Sequence, residues 1–187
     1  MSAAHSGTAS TSYGIDFIYK QNTRICQGAQ PLLSFNFGAG KKERVLETFK
    51  YELMICAGYT TLFWVLTMIA PQVFAGIFSN DADLIEKAAW CMRIYMAGIF
   101  ALGFQISCQQ TFVALGQAKT SLLLACLRKL VLLIPLIFIL PLFFENKVFA
   151  VFLAEPISDI AAAMVTTGCF FTKIRSILEK GVNRGKE

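Results

Sequence analysis

The chain has 187 residues, enough for one ordinary domain, yet 56% of them are hydrophobic and only 16% are charged, a balance that excludes a simple water-soluble globule. A formal charge of +5 is too small for a nucleic-acid surface and suits basic loops beside a membrane. The six cysteines are scattered singly with no C-x-x-C pair, so they read as small apolar side chains, not as a metal or redox motif.

Residues 1–24 begin rich in Ser, Thr, Ala and Gly and lack the basic start and apolar core of a signal peptide. They are expected to form a poorly defined or disordered N-terminus, which holds His5, the only histidine. A helical lobe is expected over 25–177. Its first segment, about 25–40, is uncharged but short and contains Pro31, Asn36 and several glycines. It predicts a partial span, either a helix end or a re-entrant piece. The next helix, about 44–70, starts amphipathic, with Val45, Leu46, Phe49 and Leu53 at helical spacing, and stops before Pro71. A third helix, about 83–115, is predicted to be capped by Ser79 or Asn80, with Asp81, Asp83 and Glu86 at its positive end, and to stop at Gly116 and Gln117. The fourth, about 119–144, carries Arg128 and Lys129 near its start and Pro135 in its body. The fifth covers about 148–174, and 178–187 form a basic tail.

Stretches 53–80, 94–118 and 130–144 contain no charged residue, and 148–172 hold only Glu155 and Asp159. A helix crossing a ~30 Å hydrocarbon core needs about 20 mostly apolar residues. Inside lipid only helices and closed barrels satisfy their own backbone. The chain is therefore expected to be an all-α, polytopic transmembrane bundle of about four full spans and a partial first one. Most of the 17 basic residues fall at 41–50, at 119–129 and in the tail, so those parts and the C-terminus are expected on the cytoplasmic side.

Polar groups inside spans mark candidate sites. Gln30 and Asn36 either line a cavity or brace a neighbouring helix. Gln105 and Gln109 share one helix face, and so do Glu155 and Asp159. Ionisable groups at membrane depth are costly and point to function by default, so the two acids are either an ion-coupling site or a structural, gating ion pair. Arg93, near the external end of its span, is the better expected partner. Arg128 and Lys129 are expected to lie too close to the cytoplasm. Pro31, Pro135 and Pro156 are candidate helix kinks.

The stretch GAQPLLSFNFGAGKKERV at 28–45 resembles the signature of the multidrug and toxic compound extrusion family, through Gln30-Pro31 and Phe35-Asn36-Phe37-Gly38-Ala39. The resemblance continues through IFSNDADLIEKAAWCMRIYMAG, FVALGQAKTSLLLACLRKL, IPLIFILP and FLAEPISDIAA, over about 27–177. It implies an incomplete six-helix lobe of a twelve-helix secondary transporter, holding the end of the eighth helix and the ninth to twelfth. Such a protein exports cationic or amphipathic drugs and metabolites by H⁺ or Na⁺ antiport, without a resident cofactor, across a bacterial inner membrane. Its partners would be lipid, a small cationic organic substrate and the missing amino-terminal lobe. No acid stands between Glu86 and Glu145. That departs from the family's Na⁺-coupled branch and is similar to the branch of the DNA-damage-inducible transporters. A lipid-linked-precursor flippase and a non-transporting membrane fragment are the alternatives. An enzyme is not expected, because the spans carry no nucleophile–base set, metal-ligand spacing or phosphate loop.

Overall fold

The structure, a computed structural model, describes residues 2–76, 82–144 and 147–184. These residues are helical, with no strand among them. They form α1 (Ser2–Gly38), α2 (Lys42–Ile69), α3 (Pro71–Gly76), α4 (Ala82–Tyr95), α5 (Ile99–Ala114), α6 (Ala118–Cys126), α7 (Ile134–Phe143) and α8 (Lys147–Arg184). A π-helical segment, Leu127–Leu133, joins α6 to α7 as one rod, Ala118–Phe143. That rod, α2 and the Phe149–Glu179 part of α8 are long and apolar enough to cross a membrane, and α4 with α5 reach that length and hydropathy only together, as a bent pair.

The first expectation to be corrected is the N-terminus. Helix α1 starts at Ser2, not near residue 25, and runs through Pro31 to Gly38. Local composition is overridden by packing: Ile15, Ile18, Ile25 and Cys26 recur at helical spacing and join a core with Cys56, Met92, Met96, Ile99, Leu102 and Ile106. The last helix also outruns its expected end near 174, because Ile177 and Leu178, the latter the first residue of the presumed tail, are buried. The caps expected at Ser79 or Asn80 fall outside the described residues.

Helix α5 is the centre of the lobe. It buries residues on every face, as a helix surrounded by others does. At one end Phe112 stacks edge-on to Phe170 at 5.2 Å, and Phe49 closes on Phe170 at 4.4 Å. Outside the bundle, Phe35, Ile69, Phe138, Leu142 and Phe143 are all more than two-thirds exposed, a surface that water would not tolerate but lipid or another apolar partner covers.

The turns after α1 and α5 have one design. In each a glycine takes a left-handed conformation, Gly40 at φ 67° and Gly116 at φ 76°. In each the next residue's N–H reaches five back, Lys41 to the Asn36 carbonyl (2.9 Å) and Gln117 to the Phe112 carbonyl (2.8 Å). The glycine N–H bonds Phe37 or Val113 in the same way. Both are Schellman caps, which need a residue without Cβ at that position. The stop expected at Gly116 and Gln117 is thus present. Ser34 closes a further open carbonyl by donating to Ala114 (2.9 Å).

The crossing expected as one helix over 83–115 is bent by 46° between Tyr95 and Ile99. The cause is steric. A Cβ on Gly98 would meet the Cα and carbonyl of Pro156 at 2.9 Å, so α8 passes where α4 would otherwise continue. A break inside a membrane needs partners for its freed carbonyls, and Trp64 Nε1–H donates to the Ala97 carbonyl (3.1 Å). Trp64→Phe keeps an aromatic ring against Phe100 and removes that bond with the smaller ring of the indole. It should cost about 1 kcal/mol, read by unfolding in mixed detergent micelles.

Candidate transport cavity

Where the long α6–π–α7 rod lies against α8, four charged groups meet. Counting from Ala118, Arg128 is about 15 Å along the rod, close to the middle of a ~30 Å core. It is buried, and so are Glu155 and Asp159. Arg128 Nε and Nη2 both stand 2.7 Å from one oxygen of Asp159. Arg128 Nη2 is 3.9 Å from Glu155, and Lys129 Nζ is 3.3 Å from the same Glu155 oxygen. Ser158 Oγ–H donates to the Arg128 carbonyl (3.2 Å). The π winding explains how adjacent residues both reach α8. A wider turn places Arg128 and Lys129 together and opens carbonyls to side-chain donors. Pro135 follows at the start of α7, where its missing N–H and ring cannot complete an ordinary turn.

This corrects the expected pairing. Arg128 and Lys129, set aside from the sequence, are the partners of the two acids, while Arg93 is exposed on α4. The signal was present: Arg128-Lys129 stand alone in an otherwise uncharged stretch from 120 to 144, and a cation at that depth is as costly as a buried carboxylate, so cations and acids had reason to find each other.

Beside this cluster is a cavity of about 300 Å³. Gln105 and Gln109 of α5, Tyr95, Arg128, Lys129 and Glu155 line it, and α1 adds Asp16 and Tyr19. The two glutamines therefore do share the face that points inward. Gln109 Nε2–H donates to the Ser121 carbonyl (2.9 Å), whereas the buried Gln105 Oε1 has no hydrogen-bond partner. Asp159 is outside the lining, held behind it by Arg128. Gln30 and Asn36 are not brought to this cavity. Asn36 Nδ2–H returns to the Leu32 carbonyl of its own helix (2.8 Å). Helices α1 and α8 are continuous through Pro31 and Pro156.

A charged, half-open cavity thus lies between bent and π-wound apolar helices of a multi-pass membrane protein. The chain belongs to the MatE family, whose model matches residues 3–139 and so includes the N-terminal stretch that lay outside the motif resemblance. Members of this family are transporters, not enzymes. The multidrug export protein MepA of Staphylococcus saprophyticus is 26% identical over 170 residues, which is 87% of this chain and 37% of the relative. MepA of Staphylococcus aureus strain MSSA476 is 25% identical over the same shares. The chain thus spans little more than a third of these relatives' length. Among solved structures, the MATE multidrug transporter DinF-BH, solved as a complex, superposes with a TM-score of 0.78 at 27% identity, covering 88% of this chain and 36% of that one. A MATE transporter in the bent conformation gives 0.82 at 16% identity, covering 96% and 39%, a likeness of fold.

Proposed function

We propose that this chain forms one lobe of a secondary transporter that exports cationic, amphipathic molecules in exchange for H⁺ or Na⁺. The lobe works with a second one, which frames the other side of the passage. The multidrug export for which MepA is named, and the multidrug transport for which DinF-BH is named, support the substrate class. The observation that carries the reading is the unequal holding of Glu155. Asp159 is clamped at 2.7 Å by a buried arginine. Glu155 is held mainly by Lys129, whose side chain is 57% exposed and free to swing. A substrate ammonium entering the cavity displaces Lys129, takes its place on Glu155 and is oriented by the Gln105 amide. Tyr95 and Tyr19 supply aromatic faces for a planar cation. In this reading Asp159 and Arg128 are a brace that keeps Glu155 aimed, and the coupling ion competes with substrate for the carboxylate that Lys129 releases.

The test is accumulation of a fluorescent cationic dye in a pump-deficient bacterial host expressing the gene product that contains this chain. Wild type lowers accumulation. Glu155→Gln abolishes that effect, and Gln105→Leu weakens export by about tenfold, one lost charge-assisted or buried bond. Export that is unchanged in Glu155→Gln overturns the assignment. For the placement, we infer a bacterial inner membrane and a cytoplasmic C-terminus from the basic loops; a C-terminal reporter active only outside the cytoplasm would reverse it.

A further inference from the structure

A third carboxylate is buried, and among the described residues no cation is paired to it. Glu52 on α2 is 3% exposed, and neither of its oxygens has a hydrogen-bond partner among those residues. Its place at the end of an amphipathic, mixed-charge run disguises it as a surface residue in the sequence. On α5 two buried hydroxyls are also unspent, Thr111 against Glu52 and Ser107 against Cys56. Thr111 and the Cys26 thiol sit against the carboxyl without a well-formed bond. The titratable groups facing Glu52 are Cys26 from α1, Cys56 on α2 itself and Cys108 from α5. All are thiols, and Cys26 Sγ lies 3.6 Å from Cys56 Sγ. The ion pairs of Arg128 and Lys129 go to the α8 acids.

An ionised carboxylate in such surroundings, with no counter-charge, costs several kcal/mol. A proton removes that cost and turns the group into a donor. The nearest hydroxyl matches that donor: Thr111 Oγ1 is an unpartnered acceptor. A hard metal ion is a poorer match, because the nearest groups include thiols and no described group of three or more His, Cys, Asp or Glu could hold one. We propose that Glu52 is a proton-binding site, closed over by Thr111 and Cys26 at the junction of α1, α2 and α5. The assignment does not rest on drug export, and its readout needs no transported substrate.

The experiment is infrared spectroscopy of the whole chain in lipid nanodiscs at neutral pH. The expected result is a carbonyl stretch of a buried, protonated carboxyl that disappears in Glu52→Gln and does not respond to added NaCl. Absence of the band, its survival in Glu52→Gln, or its loss on adding Na⁺ at constant pH overturns the proposal. Should Glu52→Gln fail to fold, Thr111→Val retains the carboxyl and should shift the band to higher frequency; a band unmoved there sinks the proposal.

Discussion

Replacing Arg128 with Leu should destabilise the lobe by on the order of 3–5 kcal/mol, because it strands Asp159, and in part Glu155, as buried charge without compensation. Both acids are less than 10% exposed, and Asp159 has its 2.7 Å contacts only with this guanidinium. Adding Asp159→Leu to the Arg128→Leu chain should restore at least half of the loss. Removing both charges removes the stranded group, and an apolar pair packs at little or no net cost. The measurement is a double-mutant cycle from unfolding in mixed micelles. Strictly additive losses would mean that the pair is not coupled. Lys129→Ala is the control: with its side chain 57% exposed, it should cost less than about 1 kcal/mol. Stability thus separates the brace from the group available to substrate, and the same contrast underlies the export experiment.

Gly103→Val should be nearly as damaging, by about 3 kcal/mol. A Cβ at Gly103 would stand 2.5 Å from Thr60 Oγ1, 2.8 Å from the Cys56 carbonyl and 2.9 Å from the Ala57 Cα. Two of those atoms are backbone and cannot rotate away, so α2 and α5 must separate. Close backbone approach through small residues is how helices associate when lipid gives no hydrophobic drive between them. Separation also draws the Thr60 hydroxyl away from the Phe100 carbonyl of α5 (3.4 Å). Gly103→Ala should show the same sign at roughly half the size. A Gly103→Val chain that unfolds at the wild-type denaturant level would refute the tight crossing. Gly58, whose added Cβ meets nothing within 4 Å, should accept Ala with little change.

The greasy runs were readable without coordinates because crossing a bilayer sets a length and forbids charge, and both are properties of a segment alone. The stop at Gly116 was legible for a similar reason, since a left-handed turn selects glycine locally. Residues 2–24 were not legible. Their helix rests on Ile15 and Ile18 meeting α4 and α5, residues far away in the chain. Gln105 and Gln109 announced an inward face, but their cavity exists only because α1, the π-wound rod and α8 converge on it. The pairing of Arg128 with Asp159 was misread because a cation's depth was judged from its place in one rod and not from the helix beside it. Glu52 was missed for a related reason: at the end of a charged amphipathic run it looked like surface.

By itself, then, the order of residues determined the solvent of this protein, the membership of its helices in a transporter lobe, and the positions where the chain turns, because each depends on near neighbours or on the bilayer. Only the tertiary structure decided which charges are neutralised, where a helix must bend around Pro156 and which polar side chains share a cavity. Those outcomes are set by contacts between segments distant in the chain, and a polar group's partner is chosen by proximity in space.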